Sequence, residues 1–327
     1  MTDRAAAGQA FLDRAGWGTA SRSFLAGDAS DRRYDRLNRG GITAVLMDAP
    51  PGKGDDPADF LRIAGHLRGL GLSAPACLAE DLPQGFLLLE DLGDALFARL
   101  TAADPGLDLP LYTAATDVLT HLQSHPAPAG LPDLTAQGWA DSAAVAFDWY
   151  RFAFTGDRID TIAFQTTLAD LLRRHADGPR VLILRDFHAE NLLWLPDRRD
   201  LARVGLLDFQ LAQLGQPAYD LVSLLQDARR DVRPETEAMM QARFGVDPAA
   251  YASLGALRAL RILGVFARLC LVAGKPGYLP LLPRVFTQLQ RNLAHPALQP
   301  LRGFCDHLPP PSPETLNRIG AQCGSFR

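Results

Sequence analysis

Two short apolar runs that enclose a cluster of polar residues are the feature that most constrains this chain. The first run, Val181 to Leu184, leads directly into Arg185 and Asp186, and the second begins at Leu192. Short continuous apolar runs of this kind are typical of buried strands. Polar side chains at the end of a buried strand need partners, because an unpaired polar group away from water is costly. A bound substrate together with a metal ion would supply such partners.

The order of apolar patterns along the chain predicts strands first and helices afterwards. Up to about Leu92 the chain contains strand-like runs, with one helical stretch among them. After Gly93 it has long helical patterns that enclose a short hairpin. The helical patterns are Asp59 to Leu70, Leu111 to Gln123, Asp160 to His175, Tyr219 to Leu225 and Pro248 to Val272. We therefore predict an α+β fold with a small β-rich N-lobe over residues 1–91 and a larger, mostly helical C-lobe over residues 92–327.

Composition argues against several classes of protein. The chain of 327 residues has a net charge of -4, so no basic surface for nucleic acid is expected. The start has no long apolar core of the kind found in signal peptides, and no run approaches the roughly 20 apolar residues of a membrane span. The four cysteines are far apart without a CxxC pattern, which favours free thiols in a reducing cytoplasm. We expect a cytoplasmic protein without a nucleic-acid, membrane or obligate protein partner.

The polar residues after the first apolar run have a spacing that suits phosphoryl transfer. Four residues separate Asp186 from Asn191, and Asp208 follows the next apolar run, VGLLDF. If these side chains meet at strand ends, they offer the hard oxygen ligands that Mg²⁺ takes together with phosphate oxygens. Phosphoryl transfer needs little more than a placed nucleophile, a base and cations over the phosphates. The alternative is structural: a solvated loop acid, an asparagine that caps a turn, and a turn residue at Asp208.

Motifs spread over most of the chain carry a resemblance to a known family. The motifs are GDASDRRYDRL, VLMDAPP, GFLLLEDLGD, LRDFHAENLLWL, VGLLDFQLA, AYDLVSLLQDARRDV and RALRILGVFARL. Together they resemble the aminoglycoside phosphotransferase/choline kinase superfamily, whose members have a bilobal, protein-kinase-like fold. More narrowly, they are similar to the bacterial kinases that phosphorylate the anomeric hydroxyl of N-acetylmuramate and N-acetylglucosamine. The resemblance implies an enzyme that uses ATP and Mg²⁺ and takes a small amino sugar as substrate.

The resemblance also assigns roles to individual residues. Asp186 matches the catalytic base, and Asn191 and Asp208 match the magnesium ligands. The turn between the first two strands matches the segment that covers the phosphates, and the segment that begins at Glu90 matches the hinge that binds the adenine edge. The nucleotide-binding residues implied are Gly27, Ser30, Arg32, Arg33, Glu90, Asp91 and Leu92.

Departures from the family pattern change the expected chemistry. The third-strand lysine that holds the phosphates is Met47 here, and the region that should carry its glutamate partner, Phe60 to His66, offers no carboxylate. Another cation must then balance the triphosphate. The candidates are Arg32 and Arg33 first, then Arg36 and Lys53. The first two would otherwise be surface arginines beside Asp31 and Asp35. Gln210 replaces the glycine of Asp-Phe-Gly, so no protein-kinase-style flipping switch is expected.

The acceptor site is the part that the sequence specifies least. Candidates come from the catalytic loop, from the aromatic stretch Phe147 to Phe152 and from QDARRDV: they are Asp148, Phe187, His188, Glu190, Asp227 and Arg229. An arginine in QDARRDV would suit the lactyl carboxylate of N-acetylmuramate, because arginine binds carboxylates bidentately. Each candidate also has a structural alternative. His188 would only pack within the loop, the aromatic residues of Phe147 to Phe152 would belong to the core, and QDARRDV would be an exposed charge cluster. A kinase for an aminoglycoside or for choline, and a nucleotide-binding pseudokinase, are the alternative functions.

Overall fold

The computed structural model describes residues 2–27, 32–54 and 56–326, and the chain forms two compact units. The first unit comprises Met1–Pro128 and Leu184–Ala212, and the second comprises Ala129–Ile183 and Gln213–Arg327. A small antiparallel sheet lies in the N-terminal part and the C-terminal part is mostly helical, which confirms the predicted α+β fold class. The predicted lobe boundary between residues 91 and 92 stays a prediction.

The strands of the described residues form one larger sheet and two short pairs. In chain order they are β1 (Ser21–Gly27), β2 (Arg33–Arg39), β3 (Ile42–Asp48), β4 (Cys77–Asp81), β5 (Phe86–Glu90), β6 (Val181–Ile183), β7 (Leu192–Trp194), β8 (Val204–Leu206) and β9 (Gln213–Gly215). The larger sheet has the order β1-β2-β3-β5-β4 and is antiparallel throughout. In the short pairs, β7 joins β8 in the first unit and β6 joins β9 in the second.

The helices include all five that the sequence periodicity predicts. In chain order they are α1 (Thr2–Arg14), α2 (Pro57–Gly69), α3 (Phe97–Ala103), α4 (Asp108–Gln123), α5 (Ala136–Ala143), α6 (Phe152–Thr155), α7 (Ile162–His175), α8 (Tyr219–Leu225), α9 (Pro234–Phe244), α10 (Pro248–Leu271), α11 (Leu282–Leu293), α12 (Gln299–Cys305) and α13 (Pro313–Gly320). A π-helix, Ala146–Arg151, lies between α5 and α6. Among the described residues, no helix has the length and hydropathy needed to span a bilayer.

The larger sheet has two different faces, because side chains alternate along a strand. One face packs against α1 in a buried cluster, formed by Phe11, Leu12, Trp17, Leu37, Ala44, Leu46, Phe86 and Leu88. Val45 and Met47 alternate with the residues that β3 contributes to this cluster, so they lie on the opposite face. Helix α1 thus leaves the face with Val45 and Met47 for other contacts.

A two-residue turn sets the register between β2 and β3. Gly40 and Gly41 have φ values of 59° and 89°, a left-handed conformation that glycine adopts without strain and that matches the twist of a tight hairpin. The Asn38 side chain accepts a hydrogen bond from Gly41 N at 3.0 Å. This register places Tyr34 opposite Met47 and Arg36 opposite Val45.

Helix α2 supports the segment that carries Asp208. The helix begins at an Asp56 cap, whose carboxylate accepts a hydrogen bond from Ala58 N at 2.9 Å, and Pro57 at its first position favours helix initiation. On its buried side, the Phe60 ring stacks on Phe209 with ring centroids 4.9 Å apart. Because Phe209 follows Asp208 directly, this contact fixes the backbone next to that carboxylate.

Helix α10 is the central helix of the second unit. Asp247 caps it by accepting hydrogen bonds from Ala249 N and Ala250 N, and most of its residues are buried. It contacts α11 and the π-helix most extensively. At the π-helix the two backbones approach closely at Gly264, where a side chain would meet Val145 and Ala146.

Candidate functional site

A cavity of about 390 Å³ lies within the first unit, a volume typical of small-molecule sites. The strand face with Val45 forms one wall, together with Tyr34 and Arg36 from β2. The rest of the lining includes the predicted hinge residues Glu90, Asp91 and Leu92, and the loop residues Glu190, Asn191 and Asp208. The structure therefore brings the predicted hinge and the predicted metal ligands into one cavity, and Gly27 lines it as well.

The loop that follows Leu184 is held by a series of short backbone contacts. Asp186 N donates to Leu184 O at 2.9 Å, and His188 N donates to Asp186 O at 3.1 Å. Arg185, just before Asp186, has a φ of 72°, which is uncommon for a residue with a side chain and is found at functional sites. The backbone contacts on both sides thus fix the position of Asp186 in this loop.

Asn191 is oriented by its own side-chain amide. Its Nδ2 donates to the Asp186 carbonyl oxygen at 2.9 Å. Because the amide nitrogen is used in this way, the Oδ1 acceptor is the atom left for a ligand. Hard cations prefer an oxygen of this kind, so the geometry of Asn191 fits a magnesium ligand.

The Asp186 carboxylate is half-buried. Across residues 2–27, 32–54 and 56–326, no hydrogen bond or ion pair holds this carboxylate, although the Asp186 backbone is engaged on both sides. A carboxylate placed by its backbone and not held by a neighbouring cation keeps its acceptor capacity for a substrate hydroxyl. This arrangement fits the role of a base.

Asp208 lies beside Asn191 because of the β7–β8 register. Leu192 pairs with Leu206, and Leu207 N donates to the Asn191 carbonyl oxygen at 2.9 Å, so Asp208 stands one residue beyond the partner of Asn191. Asp208 has a φ of 54°, in the left-handed region that aspartate tolerates better than most residues. Among the described residues, no group of three or more His, Cys, Asp or Glu side chains forms a metal cage. A metal held here would therefore take its remaining oxygens from a substrate or from water, as Mg²⁺ commonly does.

Gln210 contacts Asp208, a role that the sequence did not suggest. Its Nε2 donates to Asp208 Oδ1 at 2.7 Å, and the residue is buried. Where protein kinases have glycine, this chain therefore has a side chain that orients the carboxylate. The sequence signal was the departure from Asp-Phe-Gly, which predicted only the lack of a flipping switch.

Arg36 joins strand β2 to the hinge. Its Nε lies 2.7 Å from Asp91 Oδ2 and its Nη1 lies 2.7 Å from Asp94 Oδ2. The hydrogen bonds to Arg36 hold the pKa of the Asp94 carboxyl below its usual value. Asp91 also accepts from Gly93 N at 3.0 Å, so one carboxylate links the arginine to the hinge backbone. This clamp, which no local pattern in the sequence indicates, fixes the hinge side of the cavity.

Loss of this clamp should destabilise the first unit. The Asp91 side chain is only 6% exposed, so Arg36→Met leaves a buried carboxylate without its cation and is expected to cost about 3 kcal/mol. Urea unfolding of the wild type and the variant measures this loss. In the double variant Arg36→Met/Asp91→Asn the uncompensated charge is removed and most of the stability should return. A single variant as stable as the wild type would contradict the structural role of the clamp.

The other predicted hinge residue with a charge, Glu90, faces a different group of side chains. Its Oε1 lies 2.5 Å from Arg198 Nη2 and its Oε2 lies 3.6 Å from Arg68 Nη1. Its backbone N–H donates to Ala76 O at 2.8 Å. The Glu90 side chain is therefore engaged with arginines, and its proposed contact with a nucleotide base would depend on its carbonyl group.

The structure separates the four candidate cations for the phosphates. Arg32 is buried and lies 3.5 Å from Asp208 Oδ1. Arg33 is half-exposed and pairs with Asp35 at 3.0 Å, and Arg36 belongs to the hinge clamp. Lys53 is exposed in the loop between β3 and α2. Ser30, the remaining predicted nucleotide-binding residue of the turn, lies outside the described residues.

The predicted acceptor residues fall in different surroundings. In the first unit, Phe187 and His188 are buried in the loop, while Glu190 lines the cavity with Asn191. In the second unit, Asp148 is partly exposed in the π-helix. Their roles in acceptor binding stay predictions.

QDARRDV is held together by a buried carboxylate. Asp227 is fully buried, accepts from Arg229 N at 2.8 Å and pairs with Arg230 Nε at 3.1 Å. These contacts show that Asp227 shapes the segment that presents the Arg229 and Arg230 side chains. Any role of Asp227 toward a substrate would be exerted through these neighbours.

Comparisons with known proteins agree on one family. The model of the phosphotransferase enzyme family matches residues 21–257. The chain is 39% identical to an N-acetylmuramate/N-acetylglucosamine kinase of Caulobacter vibrioides, over 94% of this chain and 98% of that protein. It is 34% identical to the protein of the same name from Pseudomonas aeruginosa, over 90% of this chain and 91% of the relative. Among solved structures, a choline/ethanolamine kinase family protein from Mesorhizobium loti has a TM-score of 0.61 at 17% identity, covering 98% of this chain and 99% of that one. That last likeness concerns the fold.

Proposed function

This chain belongs to the phosphotransferase enzyme family, and on that premise we propose that it transfers the γ-phosphoryl group of ATP to the anomeric hydroxyl of N-acetylmuramate and N-acetylglucosamine. The products would be sugar 1-phosphates, of use in the recycling of cell-wall sugars. The acceptor is proposed because two relatives that align over 94% and 90% of this chain carry that name. ATP is present in the cytoplasm, where thiols also stay reduced, so we propose a cytoplasmic location as well.

The observation that carries the chemistry concerns Asp186. Among the described residues no neighbouring cation holds its carboxylate, and its backbone oxygen accepts from Asn191, which lines the cavity together with Asp208. Asp186 would accept the proton of the sugar hydroxyl while the hydroxyl oxygen forms a bond to the γ-phosphorus. The bond between that phosphorus and the ADP oxygen breaks as ADP leaves. An anomeric hydroxyl is more acidic than an ordinary alcohol, so one positioned carboxylate is a sufficient base.

Asn191 Oδ1 and an oxygen of Asp208 are the atoms of this chain that would hold Mg²⁺. When bound, the ion would neutralise charge on the phosphate oxygens. Gln210 would keep the Asp208 carboxylate in place through its hydrogen bond at 2.7 Å. The hinge residues Asp91 and Leu92, kept in position by Arg36, would border the adenine base.

A different acceptor is the main alternative within the family. An aminoglycoside is a polycation and would need a surplus of acidic side chains at its site. Two of the acids predicted near the acceptor are instead close to arginines: Asp148 lies 4.0 Å from Arg158, and Asp227 lies 3.1 Å from Arg230. These pairs reduce the negative charge available to a polycation and favour an acceptor that is neutral or anionic. The alternative of a nucleotide-binding pseudokinase is supported by Met47, which replaces the third-strand lysine that holds the phosphates in the family.

A panel of acceptors tests the proposed function. Purified protein with ATP and Mg²⁺ should release ADP with N-acetylmuramate and N-acetylglucosamine, and should do so only slowly with choline or kanamycin. Phosphorus NMR of the product should show a phosphate on the anomeric carbon. Turnover of kanamycin without turnover of either sugar would replace the proposed acceptor by an aminoglycoside. If ATP binds and no acceptor is phosphorylated, the pseudokinase alternative is favoured.

A further inference from the structure

A buried arginine beside Asp208 is the contact that carries this inference. Arg32 Nη2 lies 3.5 Å from Asp208 Oδ1, and the Arg32 side chain is only 4% exposed. The two residues are 176 positions apart in the sequence, so the fold alone brings them together. The Asp208 carboxylate, which is 35% exposed, compensates the charge of the buried guanidinium, which would otherwise be costly to bury.

The position of Arg32 next to β2 brings it to the sheet face where the family lysine would stand. Met47 in β3 pairs with Tyr34 in β2, and Tyr34 lines the cavity. Arg32 precedes Tyr34 by two residues, and side chains two apart along an extended chain point to the same face. An arginine at position 32 and a lysine at position 47 would therefore lie on the same face of the sheet. Met47 itself is buried and uncharged.

Two of the other candidate cations, Arg33 and Arg36, are held by groups away from Asp208. Arg33 pairs with the fully buried Asp35 and lies over the Phe24 ring, with its Cζ 5.4 Å from the ring centroid. Arg36 is held by Asp91 and Asp94 in the hinge clamp. Of the four candidates, Arg32 is the one whose contact with a predicted metal ligand is seen.

We propose that Arg32 performs the role of the missing strand lysine: it pairs with Asp208 and binds the nucleotide phosphates when they are present. This inference rests on the proposed function, because it needs a nucleotide in the cavity. A guanidinium suits the role, since its planar donors match two phosphate oxygens at once. Asp208 keeps a partner when Arg32 turns to the phosphates, because Gln210 Nε2 donates to the same Oδ1.

The phosphate contribution to binding tests this role directly. Calorimetry with Mg²⁺ present gives the Kd of adenosine and of ADP for the wild type and for Arg32→Met. Loss of one charged phosphate contact should weaken ADP binding by about 10- to 100-fold and leave adenosine within about twofold. The matched control is Arg62→Met, which removes an arginine that forms an exposed pair with Asp59 on α2. Its two Kd values should equal those of the wild type.

A second substitution tests whether the role can be moved back to strand β3. Met47→Lys in the Arg32→Met background places an ammonium group on the same sheet face. We expect this double variant to regain most of the preference for ADP over adenosine. If Arg32→Met does not fold, Arg32→Gln takes its place, because glutamine keeps a hydrogen-bond donor near Asp208 but carries no charge. It should show the same selective loss of ADP affinity.

The outcomes distinguish this inference from the proposed function. Equal weakening of ADP and adenosine in the Arg32 variants would show a purely structural role and overturn the inference. An Arg32 variant that keeps the wild-type preference for ADP over adenosine would also overturn the inference. The proposed function would stand in that case, provided that the wild type phosphorylates the sugars. A wild type that binds neither ADP nor ATP would overturn the proposed function itself.

Discussion

Replacing Asp186 with asparagine is expected to lower kcat by about 10²- to 10⁴-fold, the usual contribution of a general base. Asparagine has nearly the same shape as aspartate but cannot take the hydroxyl proton. The Asp186 carbonyl oxygen, which accepts the hydrogen bond from Asn191 at 2.9 Å, is unchanged by the substitution. The loop should therefore keep its conformation, and the Kd of ADP should change by no more than about twofold.

The measurement for Asp186 combines steady-state kinetics with ADP binding. The assay follows ADP release with N-acetylmuramate as acceptor, and calorimetry supplies the Kd of ADP. Asp197→Asn is the matched control, because Asp197 is exposed in the turn after β7. The control should retain the wild-type kcat. Wild-type turnover in Asp186→Asn would remove Asp186 from the role of base.

Replacing Gly264 with alanine is expected to destabilise the protein by about 1–3 kcal/mol, the cost of forcing extra atoms into a packed core. The new Cβ would lie 2.6 Å from Ala146 N and closer still to the carbonyl group of Val145. These are backbone atoms at the start of the π-helix, so they cannot rotate away as a side chain would. The α10 helix or the π-helix must shift to accommodate the methyl group.

Thermal unfolding of Gly264→Ala beside a second glycine variant measures this effect. Gly65 lies in α2, and a Cβ built there meets nothing within 4 Å. Gly65→Ala should therefore raise stability by about 0.4–1 kcal/mol, because alanine restricts the unfolded chain and favours the helix. If Gly264→Ala unfolds at the wild-type temperature, the close approach of α10 to the π-helix is incorrect.

The parts of the site that could be predicted from sequence are those with a local pattern. The helices α2, α4, α7, α8 and α10 follow from the spacing of apolar residues over one or two dozen positions. The segment around Asp186 and Asn191 follows from two apolar runs that enclose it. Asp208 could be predicted because it comes directly after a third apolar run. In each case the residues that produce the signal lie within one short stretch of the chain, so a local pattern is sufficient to predict the element.

Contacts between distant segments could not be predicted in this way. Arg36 and Asp91 are 55 positions apart, and the sequence suggested Arg36 only as one of several cations near the phosphates. The stretch Phe147 to Phe152 is predicted as a sugar-stacking surface or as helix-face aromatics of the core. Its sequence does not indicate the π-helix at Ala146–Arg151, which packs closely against α10 at Gly264.

By itself, the sequence of this chain determined the fold class, five of its helices and the segment predicted to carry the catalytic residues. Local hydrophobic periodicity and residue type are sufficient for these features. Only the tertiary structure decided which arginine stands beside Asp208, which one holds the hinge, and that Gln210 orients the carboxylate. Those choices depend on strand register and on the close packing of segments far apart in the chain, and neither is encoded in any short stretch of residues.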